Sequence, residues 1–503
     1  MDRNPSVRSS TTLEAPFLVP VWREHSGAEP PATAPDGERW LLLLPEGDLG
    51  QAVVDRCAQT GARLSIAVAG RRFHPDDPAS VARLIEEEFA SGAPDAVLCA
   101  WALGEEPGER GEGAAAQRVF ARLHALGVAL AGPGGEGPAG PVRLVVATDR
   151  AHRAVPGDTA RPFQAVADGP ALVFGLEADR LTVRRADIDT TERDEATAAA
   201  LAAEMTTVGE GAVAWRSGRR LALEYLPFTH SEPAGSPFAR GGTYVITGGF
   251  GAIGLALARH IDEVPDTTTV LIGRNLPRAC AGDDGVAGEL ARLRAAGARV
   301  LEFACDVADR DGLAEVIGKV RTETGRIDGV LHLAGVVDDM RLRSLSPELA
   351  ARVLAPKTAG TSALVELCPD AAFLALFSSV QNLSGAYGHS AYIAANRFLD
   401  SCAAAADTDT RQVVAINWTL WGEVFGMAAP PAGTGGAPDA VRGWLATAEG
   451  IAALERILVH RPGPQVAVCP DGYGAQLSRA RSRAAAARER EAGSGSPRVV
   501  AQN

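Results

Sequence analysis

The stretch from Gly241 to His260, GGTYVITGGFGAIGLALARH, constrains the fold of this chain more than any other. Tyr244, Val245 and Ile246 form a β-branched and aromatic run of the kind that makes a buried strand. Thr247 and Gly248 follow, then Gly249-x-Gly251-x-x-Gly254, with Phe250 and Ile253 inside the motif, then an Ala/Leu-rich helical segment. Strand, glycine turn and helix in that order are the context in which such glycines signal a dinucleotide site. They let backbone approach a pyrophosphate closely, and the helix N-terminus supplies N–H groups and a favourable dipole. Taken alone, the motif fits a glycine-rich turn in another α/β protein equally well. The residues downstream decide.

A chain of 503 residues is too long for one ordinary core, and two domains of roughly 200 to 250 residues are expected. Hydrophobic residues make up 46% and charged residues 22%, the proportions of a globular protein. No apolar run approaches the ~18 residues a membrane span needs, and Met1-Asp-Arg-Asn-Pro lacks the apolar core of a secretory leader. The seven cysteines are scattered without a CxxC pair, so neither a disulfide framework nor a metal site is expected, and a cytoplasmic location is. A net charge of −13 argues against nucleic acid as partner, because phosphate binding needs a basic face.

Residues 1–15 are polar and read as a flexible terminus. Phe17 to Trp22 reads as a first strand, confined to a sheet edge by Pro20. Strands near 40–44, 63–68, 96–101 and 142–147 then alternate with helices near 49–60, 78–90 and 113–126. That alternation implies a mostly parallel sheet. No glycine fingerprint follows any of these strands, so residues 16–235 are expected to form a structural, truncated Rossmann-like subdomain without a cofactor site. Residues 210–228 read as a hairpin about Ser217-Gly218, and the turn-rich 231–237 marks the boundary.

Residues 236–476 repeat the alternation as a doubly wound parallel sheet, and this half is the catalytic one. The strand after the fingerprint helix ends on Gly273-Arg274. An acid at this point favours a free ribose 2′-hydroxyl and an arginine a 2′-phosphate, so Arg274 predicts NADPH. A surface arginine remains the alternative, since only Lys319 and Lys357 are lysines among 49 basic residues. The third strand leads to Asp306, placed to cap or to touch the adenine, and Val307. The fourth leads through His332 and Ala334 to Gly335, beneath the expected cofactor.

Phe373 to Ser379 is an apolar strand ending in two hydroxyls, and Tyr392 follows in Ser390-Ala-Tyr-Ile-Ala-Ala-Asn396. Tyr392 and Asn396 share one helix face. Carbonyl reduction needs a proton donor for the forming alkoxide, and a phenol serves when a nearby cation lowers its pKa. A second hydroxyl holds the oxygen where charge develops. Tyr392 is the candidate acid, Ser379 the oxyanion donor and Lys357 the cation, on a helix expected beside that of Tyr392.

With Thr247–Gly254, His332-Leu-Ala-Gly335, Val353-Leu-Ala-Pro-Lys357, Phe377-Ser-Ser379, Tyr392-x-x-x-Asn396 and Ile416–Gly422, residues 16–475 resemble the ketoreductase domain of modular polyketide synthases. That group is a complex branch of the short-chain dehydrogenases. In most short-chain dehydrogenases the lysine stands four after the tyrosine, where this chain has Asn396; the exchange of Lys and Asn positions is specific to the group. The resemblance implies a tetrad of Lys357, Ser379, Tyr392 and Asn396. It implies NADPH-dependent reduction of a β-ketoacyl chain, held as a phosphopantetheine thioester on an acyl carrier protein, among other synthase domains. Val337-Asp338-Asp339 resembles the Leu-Asp-Asp of members giving a D-alcohol, and Ser384 stands where L-type members carry tryptophan. His389 replaces a common glutamine. The segment 423–442 would be a lid, and Trp421 and Met427 are assigned with it to the substrate. Residues 477–503 are expected to be a helical or flexible tail. A redox-silent scaffold or an epimerase of the α-substituent is the alternative from another class, although such members usually lose tetrad residues or glycines retained here. A free-standing reductase of small ketones is a third.

Overall fold

The computed structural model describes residues 17–24, 31–132, 140–229, 235–277, 285–337, 340–422, 445–469 and 474. The terminal segments, most of 231–237, the segment 423–442 expected to be a lid, with Met427, and Asp338 and Asp339 therefore lie wholly or largely outside the described residues. The first half supplies β1 (Phe17–Glu24), β2 (Arg39–Leu44), β3 (Arg63–Val68), β4 (Ala96–Cys99), β5 (Val142–Asp149), β6 (Leu181–Ile188), β7 (Gly211–Arg216) and β8 (Arg219–Phe228). The second supplies β9 (Thr243–Thr247), β10 (Thr268–Gly273), β11 (Arg299–Ala304), β12 (Gly329–His332), β13 (Phe373–Ser379), β14 (Gln412–Trp418) and β15 (Gln465–Val468).

Among the described residues these fifteen strands form one sheet, in the order β11-β10-β9-β12-β13-β14-β15-β1-β8-β7-β6-β5-β4-β2-β3. The second half is a doubly wound sheet whose order reverses between β9 and β12, where ligands of such folds bind. The first half reverses between β2 and β4 and has one strand fewer outside its first, β3 alone beyond β2. Strands β4, β9, β12, β13 and β14 are buried at every residue, as expected for parallel strands covered on both faces.

The edge position expected for Phe17–Trp22 is corrected by the pairing. β1 joins the halves, antiparallel to β15 at Phe17 and Leu18 and to β8 along its whole length. Pro20 is tolerated because the pairing of β1 with β15 stops at Leu18, so that at Pro20 β1 is paired to β8 alone. The hairpin stands where its turn residues put it, with Ser217 and Gly218 both at positive φ, 51° and 71°, the geometry a two-residue turn between twisted strands requires.

The helix Ser390–Ala406 is packed between the two halves, and 13 of its 17 residues are buried. Ile393, Ala394, Ala395 and Phe398 share one apolar cluster with Phe120, Phe163 and Phe174 of the first half. Contact is closest at Gly169, where a Cβ would stand 2.5 Å from the Ala394 Cβ and from the Ser390 carbonyl oxygen. Ser401 Oγ donates to the Ala151 carbonyl at 2.8 Å, and Glu177 accepts from the N–H groups of Gly388 and Leu342 at 3.1 and 2.9 Å. A methyl at position 169 has no room. Gly169→Ala is therefore expected to destabilise the protein by about 1–3 kcal/mol, the range for overpacked cores, read from the midpoint of urea unfolding against the parent.

Candidate active site

The glycine turn leaves the end of β9 at the point where the strand order reverses. Gly248 has φ +67°, and a Cβ there would lie 2.9 Å from Ala334 N, so only glycine lets the two strand ends approach. At Gly254 a Cβ would meet Gly249 Cα at 2.7 Å, which fixes how closely the following helix, Ala252–Asp262, lies over the turn. Gly251 precedes that helix, and a Cβ on it would meet only the Gly248 oxygen, at 3.2 Å. The result is a cradle of backbone N–H groups at a helix N-terminus, which suits a pyrophosphate.

Thr247 and His332 hold the floor of this cradle. Nε2 of His332 faces the Pro356 carbonyl at 3.1 Å and must donate to it. Nδ1 is then an acceptor, for the Thr247 hydroxyl at 2.6 Å, and Ala334 N–H reaches the same hydroxyl oxygen at 3.3 Å. Burial, with the Lys357 ammonium nearby, pushes His332 down to about 3, so it is neutral and structural. Phe250 lies against Gly273, and Ile253 packs on the core behind the turn. Arg274 is exposed just past the end of β10. Asp306 is a turn cap, accepting from Ala308 N–H at 3.0 Å, and Val307 is buried against Gly360.

The four residues expected to act together are brought together. Lys357 is buried and donates to the Phe377 carbonyl at 2.6 Å and to Asn396 Oδ1 at 2.8 Å. Asn396 Nδ2 donates to the Tyr392 carbonyl at 2.9 Å, so its amide is held in one sense. Among the described residues these two bonds leave one ammonium N–H of Lys357 for a further acceptor. Gly335 permits the approach, since a Cβ there would stand 2.8 Å from Lys357 Cε. Ser379, at the end of β13, hydrogen-bonds with the phenol.

Two expectations are corrected here. Lys357 is not on a helix but in the turn between Pro347–Leu354 and Ala359–Leu367; Pro356 has no N–H to extend the first of them. The Tyr392 phenol is shifted upward, not downward. Burial raises it, and the hydrogen bonds from Ser379 and Asn396 lower it only in part. The lysine is aimed at Asn396 and Phe377, with Nζ 5.8 Å from the Tyr392 ring centre. Lys357 itself is pushed down to about 7 by burial, against the field of Asp400.

The remaining predicted residues are spread out. His389 packs edge-on to Tyr392 with ring centres 5.9 Å apart, and its Nδ1 meets Gln381 Oε1 at 2.7 Å. Ser384 is buried and donates to the Gly385 carbonyl at 3.1 Å. Val337 is exposed. Trp421 is a core residue, 5.1 Å from the Trp418 ring centre and packed onto Gly450.

A buried polar cluster under the tetrad went unread in the sequence. Asp400, four residues beyond Asn396, accepts from Ser378 Oγ at 2.8 Å, Asn382 Nδ2 at 2.7 Å, Asn417 Nδ2 at 2.9 Å and Gln465 Nε2 at 3.1 Å. The available signal was an acid in an apolar helix at the spacing of Tyr392 and Asn396.

Residues 242–423 match the KR domain family. Polyketide synthase ThaG of Burkholderia thailandensis is 32% identical over 435 residues, which is 80% of this chain and 7% of ThaG. Polyketide synthase GfsB of Streptomyces halstedii is 33% identical over 291 residues, 57% of this chain and 5% of GfsB. The chain thus spans a small fraction of the length of the curated relatives it matches. The first ketoreductase of the tylosin PKS superposes with a TM-score of 0.72 at 27% identity, covering 94% of this chain and 96% of that one. Residues 242–423 of this chain accordingly form a KR domain, and the chain as a whole is similar to ketoreductases of modular polyketide synthases.

Proposed function

We propose that the chain is an NADPH-dependent reductase of β-ketoacyl thioesters carried on an acyl carrier protein, giving a D-configured β-alcohol. The observation that supports it most is the joining of Lys357, Asn396, Tyr392 and Ser379 by hydrogen bonds beside a glycine cradle at the sheet's reversal point. Domains of this type use a nicotinamide cofactor, and the backbone cradle fits a pyrophosphate. Bound there, the nicotinamide would supply a hydride to the β-carbon.

The chain's own residues do the rest. The Tyr392 hydroxyl donates its proton to the carbonyl oxygen as negative charge develops there; an upward-shifted phenol stays protonated through neutral pH, as an acid must. Ser379 Oγ–H donates to the same oxygen, a contribution of about 10²–10³ in rate for a well-placed donor. Lys357 keeps a positive charge beside the phenol and offers its remaining N–H to the ribose. Asn396 fixes the ammonium relative to the tyrosine helix. Arg274 would face a 2′-phosphate. The D-configuration rests on Val337-Asp338-Asp339, whose two acids lie outside the described residues.

The reading is tested by following NADPH oxidation with a racemic 2-methyl-3-oxopentanoyl thioester, carrier-bound and free, then chiral analysis of the alcohol. Turnover to a D-alcohol is expected; an L-alcohol overturns the stereochemical part, and no turnover with NADPH bound overturns the reduction. Tyr392→Phe is expected to cut kcat by at least about 10²–10⁴-fold, the share of a general acid, with NADPH fluorescence titration unchanged. Arg274→Ser is expected to lower the preference for NADPH over NADH by about 10–100-fold, the worth of a hydrogen bond to a charged group, read from kcat/KM for both cofactors.

The Lys357 ammonium is charged below its pKa and lost above it. With that pKa at about 7, kcat for reduction is expected to be full on the acid side and to fall as pH rises through about 7. A flat profile to pH ~9 contradicts a role for the ammonium.

A further inference from the structure

Asp400 stands on the same face of the helix Ser390–Ala406 as Tyr392 and Asn396, and only 4% of it is exposed. A carboxylate taken out of water needs donors and a counter-charge. Its donors are the neutral groups of Ser378 on β13, Asn382 on the helix Gln381–Ser384, Asn417 on β14 and Gln465 on β15. Its ion pair with a cation among the described residues is a long one. Arg397 Nη1 is 4.0 Å away, and that guanidinium is shared with Asp168 of the first half, at 3.4 Å, and with Tyr225 of β8. Asp168 in turn holds Arg185 of β6 at 2.9 Å and His152 at 3.3 Å.

Lys357 has the complementary deficit. It is 5% exposed, and both its acceptors are neutral, the Phe377 carbonyl and the Asn396 amide oxygen. His332, the other titratable group beside it apart from Tyr392, is neutral. Lys357 and Asp400 are separated by Ser378: the ammonium bonds the carbonyl of the residue before it, and the carboxylate takes its hydroxyl proton. Charges thus alternate along the buried row Lys357, Asp400, Arg397, Asp168, Arg185, from the tetrad into the first half.

We propose that Asp400 is a positioning residue for the reduction, the buried anion that strengthens the hold of Lys357 on its proton through the Ser378 bridge. The proposal rests on Lys357 being part of the reactive constellation. Burial pulls the lysine down and the field of Asp400 opposes it; burial raises Asp400 above its ordinary value, and Arg397 and the donors around it offset that in part.

The chain offers an unusually direct test, because Lys319 and Lys357 are its only lysines. With ¹³C-labelled lysine the intact protein gives two Cε signals, one from the exposed Lys319 and one from Lys357. Each is titrated without substrate or cofactor in the parent, Asp400→Asn and Asp400→Glu. Among the described residues Asn382 Oδ1 has no hydrogen-bond partner, so its amide can turn to accept from the new amide at 400. In D400N the Lys357 signal is expected to titrate at least about one pH unit lower, a tenfold weaker hold on its proton, with Lys319 unmoved. The basic limb of the kcat profile is expected to move down with it. In D400E, which keeps the charge, Lys357 is expected to stay near its parent position.

A D400N protein that melts lower while Lys357 titrates unchanged overturns the proposal and leaves Asp400 structural. So does a D400E shift as large as that expected for D400N, and this second variant decides the matter if D400N does not fold. Since the titration uses no turnover, an inactive parent protein would overturn the reductase reading and leave this result standing.

Discussion

The packing of one helix, Ser390–Ala406, between the two halves of the sheet is the constraint on which the rest of the structure depends. Its outer face presses Ala394 onto Gly169 and Phe398 into the aromatic cluster of the first half. Its inner face presents Tyr392, Asn396 and Asp400 to the ends of β13 and β14. A helix that is apolar or paired nearly all round is stable only when enclosed, and enclosing it takes both halves. The first half therefore contributes to the site without contributing a reactive group to it. Its carboxylates also reach across, Glu177 to the N–H groups of Leu342 and Gly388, and Asp168 to Arg397.

The exchange of Lys and Asn relative to most short-chain dehydrogenases follows from the same packing. A lysine reaching the phenol from the helix itself has its stem on that helix. Here the ammonium arrives from a turn shaped by Pro356, passes under Gly335, and meets a short amide at position 396. Burial that would strip the proton from such a lysine is offset by charge rather than by solvent. The cluster of Ser378, Asn382, Asn417 and Gln465 holds that balancing carboxylate with neutral donors. Each donor leaves the anion's charge uncancelled, so its field still reaches the lysine.

Much of this was legible in the sequence, for definite reasons. The β9 strand, its glycine turn and its helix are local, and their periodicities and glycines speak for themselves. So are the Ser217-Gly218 hairpin and the apolar strands β2 and β13. The region between β5 and β7 was not legible. β6 carries Arg184, Arg185 and Asp187, which break any apolar pattern and become tolerable only when paired with Glu204, Asp168 and Arg216 from elsewhere in the chain. Pro20 was misread because whether a strand is an edge depends on where its neighbour stops. The upward shift of Tyr392 was missed because spacing places a lysine near a phenol but does not aim it. Asp400 was missed because a lone acid in a helix ordinarily faces water, and only the fold reveals its four donors.

The central claim is that the helix bearing Tyr392 and Asn396 is one cooperative unit with the first half. Native-state hydrogen exchange of the full chain tests it most directly, comparing amides of 392–403 with those of β5 and β13 across low denaturant. The account predicts that all three exchange only by global unfolding, with one common opening free energy and one denaturant slope. Exchange of the helix amides through a separate opening of lower free energy, with β5 still protected, would contradict it.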